Sequence, residues 1–281
     1  MLTIGIDPVV FTIGSHEIRW YGIMVALGVV SLLVIMPREA KRLNIPRDIY
    51  SIFLSGIVGG IVGGRLAYVI YYWEDFVADP RKIIGLAGLE QMGMIVGIVV
   101  AALIYMGVTR MPFSMLLTIG DAFIVGAPLA LAIGRIGCLL NGCCHGVPAP
   151  DLPWAVNYTH PNSAARLLNT PVHPTQLYHA LWNLIVFALV WHFRDKFKPA
   201  GSLVFFGFSI YAVGDLALRF LRYGRDATAI LFWGLDNPQV VDFAFILIFL
   251  PWFIFKMYRF RKQVSAAAPA NATQWERNPG D

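Results

Sequence analysis

The feature that most constrains this chain is a succession of apolar blocks, each about as long as a bilayer is thick. A membrane-spanning helix needs roughly 20 such residues. The predicted blocks are Trp20–Met36, Ile49–Trp73, Ile83–Met106, Phe113–Ile133, Thr175–Phe193, Gly201–Leu221 and Val241–Met257. The composition agrees, since 57% of the 281 residues are hydrophobic and only 14% are charged. We therefore predict an all-α integral membrane protein with about seven transmembrane helices.

An odd number of spans places the two termini on opposite sides of the membrane. Lys and Arg are concentrated in the segments that would be inside if the N-terminus were outside, with the densest cluster between Arg38 and Arg47. Such an excess is typical of the cytoplasmic side. We expect the long loop between spans four and five on the outer side. Residues 1–262 are predicted to form the transmembrane domain, and residues 263–281 a disordered cytoplasmic tail that is rich in Ala, Pro and Asn.

Charge and cysteine content exclude several classes of protein. The net charge of +5 is not arranged as a basic face with interleaved aromatic residues, so no nucleic-acid partner is expected. Three cysteines within seven positions do not form a disulfide framework. No cofactor is indicated by any motif, and membrane lipids are the expected surroundings.

The densest group of polar residues is the stretch from Gly134 to Gly146, which follows the fourth block. It contains all three cysteines together with Arg135, Asn141 and His145. A guanidinium at the end of an apolar segment is costly unless it meets an anion or lines a wet cavity. We predict a glycine-rich turn that binds a ligand. The alternative is a turn that only leads the chain out of the membrane, with the Arg135 side chain snorkelling to the membrane–water interface.

Further polar residues lie in or beside the apolar blocks, where ionisable groups are rare and are candidates for function. They are Tyr21, Arg65, Glu90, Gln91, His173, Gln176, Asp215, Arg219 and Arg222. Asp215 and Arg219 are four residues apart and share one helical stripe, so we expect them to pair. An ion pair that holds helices together and a catalytic role for Asp215 are equally compatible with this spacing.

The second block carries a stripe of glycines, of which Gly59 and Gly63 are four residues apart. Small residues at this spacing allow another helix to approach closely. The third block contains glycines in its first half, so a re-entrant or broken element is possible there.

The cysteines allow three interpretations. Zinc sites usually have two pairs of ligands, and a second pair would have to come from His160 or His173. The adjacent Cys143 and Cys144 are more simply small apolar residues that pack in the protein. A third alternative is that Cys138 and Cys143 are reactive thiols near Arg135. Because the three cysteines fall in one short stretch and lack a second pair of ligands close by in the sequence, we predict no metal site.

Several segments resemble the bacterial prolipoprotein diacylglyceryl transferase family. The segments are Gly134-Arg135-Ile136-Gly137 with Asn141-Gly142 and Gly146, Arg19-Trp20-Tyr21-Gly22, Gly64-Arg65-Leu66 with Asp79-Pro80, Pro153-Trp154-Ala155-Val156, and His173-Pro174-Thr175-Gln176-Leu177-Tyr178. They extend from about residue 17 to 225. The resemblance implies seven spans in the bacterial plasma (inner) membrane and an active site that faces outward.

The resemblance also implies the reaction. Such enzymes move the diacylglyceryl group of phosphatidylglycerol to the lipobox cysteine thiol in the signal peptide of a preprolipoprotein, and glycerol 1-phosphate leaves. An arginine suits the phosphodiester because its planar fork binds phosphate bidentately. The expected catalytic residues are Arg135, Asn141, Tyr21, His145 and His173. The expected substrate-binding residues are Arg135, Arg65, Gly134, Gly137, Gly146, Gln176, Tyr211, Asp215 and Arg222.

The chain differs from the family pattern at five positions. Cys138 and Cys143 replace an Asn and a Glu, and Met92 replaces a His. Asp215 replaces an Arg and Arg219 replaces a Glu, so the order of the two charges along the helix is reversed. Two functions therefore remain open: a transferase with altered site chemistry, or a phospholipid-binding paralogue or thiol redox sensor on the same fold. Several convergent ionisable groups favour the enzyme.

Overall fold

The structure is a computed structural model that describes residues 1–14, 16–45, 49–78, 90–112, 114–224 and 235–267. Helices account for most of this part of the chain. They are α1 (Trp20–Arg42), α2 (Ile49–Tyr71), α3 (Trp73–Ala78), α4 (Gln91–Thr109), α5 (Ser114–Asn141), α6 (Thr175–Phe193), α7 (Ser202–Arg219) and α8 (Asn237–Ala267). Each of the seven predicted apolar blocks coincides, in whole or in part, with one of them.

Five of these helices, α1, α2, α5, α7 and α8, are long and apolar enough to cross a membrane. Helix α4 is also apolar but shorter. Helix α6 is not among the five, and it carries the buried polar side chains of Gln176, His179 and Asn183. The chain is therefore a helical, multi-pass membrane protein.

Two predicted helix ends are wrong. Helix α1 does not stop at Pro37 but continues to Arg42, and an ion pair of 2.6 Å between Glu39 and Arg42 braces its last turn. Helix α5 does not end before Gly134 but continues for two turns to Asn141. Gly137 allows α1 to approach there, because a Cβ atom at Gly137 would lie 2.8 Å from the Cβ of Met24. Close helix packing offsets the low helix propensity of glycine.

Contacts divide the chain into two compact units, Met36–Ile119 and the combination of Met1–Ile35 with Gly120–Asp281. In the first of these units, α2 and α4 cross so closely that their backbones are in contact at the glycines. A Cβ at Gly63 would lie 2.3 Å from the carbonyl oxygen of Gly93, and one at Gly97 would lie 2.0 Å from that of Gly59. The prediction of a close helix crossing at the glycine stripe is thus confirmed.

Helix α4 begins immediately after Glu90, whose side chain accepts a hydrogen bond of 2.7 Å from the Gly93 amide. Glu90 is therefore the N-cap of the helix rather than an interruption within it. The Asp79-Pro80 segment and residues 83–89, where a broken element is predicted, lie outside the described residues. So does the tail beyond Ala267, whereas residues 263–267 continue α8.

The larger unit is built around α5, α6 and α7. Its core includes Ile124 and Val125 of α5, Val186 and Val190 of α6, and Leu203 of α7. Asp121, inside the fourth apolar block, accepts hydrogen bonds from the amides of Gly201 (2.5 Å) and Val204 (2.8 Å). It thereby satisfies free amides at the start of α7.

Four short strands, which were not predicted from the sequence, also lie in this unit. β1 (Leu2–Ile4) pairs in parallel with β4 (Val156–Tyr158), and β2 (Val9–Ile13) pairs with β3 (His16–Arg19) as a hairpin. The β1–β4 pair covers the end of α5, since Ile4, Val156 and Tyr158 pack with Leu139 in one buried cluster.

Candidate functional site

A buried carboxylate, that of Asp215 on α7, is the centre of the polar cluster in the larger unit. Its Oδ2 lies 2.5 Å from Nε of Arg219, one turn further along the same helix. Its Oδ1 lies 3.1 Å from Nδ1 of His179 on α6 and 3.4 Å from the hydroxyl of Tyr211, which donates to it. The predicted pairing of Asp215 with Arg219 is confirmed.

This cluster is one part of a chain of alternating charges that crosses three helices. Arg219 lies between Asp215 and Asp242 of α8, with Nε 3.4 Å from the second carboxylate. At the other end, Nη2 of Arg135 on α5 lies 3.7 Å from Asp215 Oδ1. The order Asp242, Arg219, Asp215, Arg135 places every buried charge beside one of opposite sign, as burial requires.

Arg135 is the only guanidinium of this chain of charges that is accessible from outside the cluster. Its side chain is 18% exposed, whereas that of Asp215 is 1% exposed and that of Arg219 4%. Because the Arg135 side chain is partly exposed while the carboxylate beside it is buried, this cation is suited to bind an anion.

Asn141 is the last residue of α5, and Tyr21 of α1 packs beside this end of α5. The Oδ1 of Asn141 accepts a hydrogen bond of 3.4 Å from Arg19, the residue before α1. Tyr21, on the first turn of α1, is 44% exposed. Its backbone approaches α5 at Gly137, where a Cβ would lie 3.2 Å from the Tyr21 Cα. Gly137 therefore acts by bringing α1 close to the site.

His145 is tied to the backbone at both ring nitrogens. Its Nε2 accepts a hydrogen bond of 3.1 Å from the Arg166 amide, and Nδ1 lies 2.9 Å from the Gly146 carbonyl oxygen. The ring is 3% exposed and stacks on Tyr223 with centroids 5.4 Å apart. Both nitrogens are thus engaged, which favours a structural role.

His173 is more accessible and lies in a small aromatic group. Its Nδ1 is 3.4 Å from the hydroxyl of Tyr178, which also accepts a hydrogen bond of 2.8 Å from the indole of Trp154. Gly146 allows His173 to pack against the end of the loop, since a Cβ at Gly146 would lie 2.5 Å from the His173 Cβ.

Gln176, predicted to bind substrate, is fully buried at the start of α6. Its amide nitrogen donates to the Cys143 carbonyl oxygen (2.7 Å) and to the hydroxyl of Tyr158 (3.1 Å). The neighbouring Thr175 hydroxyl donates to the Cys144 carbonyl oxygen at 2.7 Å. Together these two side chains anchor the turn that carries the cysteines.

The three cysteine sulfurs lie together, with no two more than 4.8 Å apart. All three are free thiols. Hydrogen bonds from the Cys138 and Cys143 thiols, aided by the nearby Arg222 guanidinium, lower the pKa of Cys144. The hydrogen bond that Cys143 makes with Cys138 raises the pKa of Cys143. Cys144 is therefore the thiol that ionises first, although only Cys138 and Cys143 were predicted to be reactive.

The structure brings together many of the predicted residues but not all of them. Arg222 joins the cysteines, with Nη2 3.0 Å from Cys144 Sγ. Arg65 belongs to the other compact unit, where it lies over the rings of Tyr68 and Phe76. The side chain of Met92 is outside the described part of the chain. His160, considered as a metal ligand, instead lies 3.8 Å from Asp7.

His179 and Asp242 were not among the residues predicted from the sequence. Both lie in apolar segments, and His179 had a recognisable signal. With Gln176 and Asn183 it forms a polar stripe at helical spacing on α6. Asp242 stands alone in its block, so only the fold reveals its contact with Arg219.

Comparison with known proteins gives a consistent result. The family model for prolipoprotein diacylglyceryl transferase matches residues 8–255. A phosphatidylglycerol--prolipoprotein diacylglyceryl transferase of Dehalococcoides mccartyi is 37% identical over 268 residues, which cover 95% of this chain and 98% of that protein. Proteins with the same name are 32% identical in Clostridium tetani, covering 91% and 99%, and 30% identical in Bordetella bronchiseptica, covering 86% and 92%.

Proposed function

Because the chain belongs to the prolipoprotein diacylglyceryl transferase family, we propose that it transfers the diacylglyceryl group of phosphatidylglycerol to the lipobox cysteine of prolipoproteins. The thiol sulfur forms a bond to the glyceryl carbon, the carbon–oxygen bond to phosphate breaks, and glycerol 1-phosphate leaves. The observation that supports this most is Arg135, a partly exposed guanidinium beside the buried Asp215 carboxylate.

In this proposal Arg135 binds the phosphodiester. The phosphate gains negative charge as the carbon–oxygen bond breaks, so a fixed cation stabilises the transition state more than the bound lipid. Asp215 positions Arg135 and is itself held by Arg219, His179 and Tyr211. These four residues thus support the substrate-binding group without touching the reacting atoms.

The acceptor thiol must lose its proton before it attacks, because the thiolate is the nucleophile. We assign the base to His173. When its Nδ1 donates to the Tyr178 hydroxyl oxygen, the Nε2 lone pair is available for a proton. Asn141 and the exposed Tyr21, at the same end of α5, are proposed to contact the substrates. His145 and Gln176 hold the loop, and Arg65 remains a proposed second contact for lipid.

The apolar blocks and the distribution of Lys and Arg suggest an arrangement in the membrane. We propose seven spans in the bacterial inner membrane, with the N-terminus outside and the C-terminus in the cytoplasm. The loop between α5 and α6 would then lie on the outer side, where phosphatidylglycerol of the outer leaflet and an exported signal peptide are both accessible. The excess of Lys and Arg in the opposite segments supports this orientation.

Complementation tests the proposed function directly. The chain is expressed in a bacterium whose own transferase is depleted, and the lipid modification of a reporter lipoprotein is followed by mass spectrometry. Wild-type protein should restore growth and the modified reporter, whereas Arg135→Ala at equal membrane abundance should restore neither. An unmodified reporter in cells that contain abundant wild-type protein would contradict the proposal.

A further inference from the structure

The backbone conformation and the hydrogen bonds around Cys138, Cys143 and Cys144 hold the three sulfurs in one place. Cysteines that only fill space would not need such an arrangement. Cys138 lies on the last turn of α5, while Cys143 and Cys144 follow in the turn. Gly142 and Cys144 both have positive φ, of 83° and 62°. This uncommon backbone, which strains a non-glycine residue such as Cys144, folds the chain back so that all three sulfurs meet within 4.8 Å.

The turn is held from outside at two successive carbonyl groups. Gln176 donates to the Cys143 oxygen and Thr175 to the Cys144 oxygen, both at 2.7 Å and both from the start of α6. These partners lie 33 and 31 residues away in sequence. The sulfur positions are therefore set by the tertiary structure and not by the local turn alone.

The electrostatic surroundings suit a cluster of thiolates. Arg222 donates to Cys144 Sγ at 3.0 Å. Arg135 lies on the same face of α5 as Cys138, three residues before it, and so brings a second positive charge to this side of the helix. Three thiolates with one divalent cation carry a net charge of −1, which these guanidinium groups offset.

The spacing fits a metal ion. With a zinc–sulfur bond of about 2.3 Å, tetrahedral geometry places neighbouring sulfurs about 3.8 Å apart. The observed separations of at most 4.8 Å need to shorten by no more than about 1 Å to reach this geometry. Among the described residues no fourth Cys, His or carboxylate joins this group. Three protein ligands with an open fourth position are typical of catalytic zinc.

We propose that Cys138, Cys143 and Cys144 bind a zinc ion whose open fourth position takes the sulfur of the acceptor cysteine. This inference rests on the proposed function and assigns a means of activating its nucleophile. The acceptor thiol gives its proton to His173 and coordinates as a thiolate. Its sulfur then forms the carbon–sulfur bond, and the electron pair of the broken carbon–oxygen bond passes to the phosphate of glycerol 1-phosphate. No oxidant or reductant is needed.

Cadmium titration tests the site without relying on activity. Protein purified in detergent is stripped with a chelator and titrated with Cd²⁺, whose bonds to thiolates give a near-ultraviolet charge-transfer band. One Cd²⁺ per chain is expected. Cys138→Ser, Cys143→Ser and Cys144→Ser should each weaken binding at least tenfold, with thermal unfolding checked for each. His192→Ala, in the exposed C-terminal turn of α6, is the control for adventitious binding and should bind as the wild type does.

A lipobox peptide then tests the open position. Addition of the peptide to the wild-type Cd²⁺ complex should intensify the band, because a fourth sulfur joins, and a peptide with Ser in place of Cys should not. An intensified band with the Ser peptide, or none with the Cys peptide, would overturn the acceptor assignment. An active transferase that shows no Cd²⁺ band would overturn the metal site and leave the proposed function intact. Stoichiometric Cd²⁺ binding without any transfer would instead contradict the proposed function.

Discussion

At the scale of single residues, Arg135 carries most of the proposed chemistry. We expect Arg135→Lys to lower transfer by roughly 100-fold, because the positive charge remains but the planar, bidentate fork does not. The measurement is the initial rate of transfer by purified protein.

Arg194→Lys is the matched control for this prediction. The Arg194 side chain is 23% exposed, close to the 18% of Arg135. It follows the C-terminal end of α6, whereas the site lies at the start of that helix, and its guanidinium packs over the ring of Trp191. Its rate should stay within about twofold of the wild type, as for a surface substitution away from the site. Equal rates for both lysine variants would refute the phosphate assignment.

The three thiols should differ in reactivity. The pKa of Cys144 is lowered and that of Cys143 is raised. In metal-free protein Cys144 should therefore be alkylated first at pH 6, and faster than a thiol with the ordinary pKa of about 8.5. Arg222→Gln removes one cause of the shift, so alkylation at pH 6 should slow.

Peptide mapping by mass spectrometry checks this order, and Cys143 is the internal control. Cys143 should remain largely unlabelled at pH 6, since a raised pKa keeps it as the neutral thiol. Preferential labelling of Cys143 would show that the hydrogen bonds run in the opposite direction.

At the scale of helices, the ion pairs that join α5, α7 and α8 hold the site together. Asp215→Asn leaves Arg219 and Arg135 without their shared carboxylate. Removal of one partner from a buried pair typically costs about 3–5 kcal/mol, so the free energy of unfolding in detergent should fall by about this amount.

Asp195→Asn provides the comparison for this loss. Asp195 also pairs with an arginine, but its side chain is 66% exposed, and exposed pairs contribute about 0–1 kcal/mol. If the two variants unfold at the same denaturant concentration, the Asp215 cluster does not stabilise the helices as described.

The crossing of α2 and α4 permits a second test at this scale. Gly97→Ala places a methyl group 2.0 Å from the Gly59 carbonyl oxygen, so the two backbones must separate, at a cost of about 1–3 kcal/mol. Gly107→Ala on the same helix is the control, because no atom lies within 4 Å of its Cβ position. This variant should be at least as stable as the wild type. Thermal unfolding in detergent distinguishes the two outcomes.

The helices could be predicted from sequence more reliably than the site could. Length and hydrophobicity alone located the seven blocks, because a bilayer-length run such as α5 has few alternatives. Helix ends were harder, since the end of α5 depends on how closely α1 packs at Gly137. That contact is tertiary and leaves no trace in the local sequence.

The site was predictable only where its residues share one helix. The spacing of Asp215 and Arg219 predicted their ion pair, whereas the contacts of Asp215 with His179 and Arg135 join different helices. The meeting of the three thiols depends on the positive φ of Cys144 and on hydrogen bonds from α6. No cysteine spacing rule contains that information.

At the scale of the whole molecule, the described helices and the Arg135 site suit an enzyme that works on a lipid. Several apolar helices place the chain in a membrane. The accessible guanidinium, the buried carboxylate behind it and the group of thiols all lie in one compact unit. A lipid phosphate and a thiol acceptor are the two substrates that such a set of side chains could bring together.

Transfer by the purified protein is the most direct test of the proposed function. Purified protein in phosphatidylglycerol micelles is given a peptide with a lipobox cysteine, and both products are quantified by mass spectrometry. We expect the peptide to gain one diacylglyceryl group in thioether linkage and one glycerol 1-phosphate to appear per modified peptide. With Arg135→Lys both should fall together, by roughly 100-fold. Folded wild-type protein that yields neither product, or a peptide acylated through a thioester, would contradict the proposed transfer.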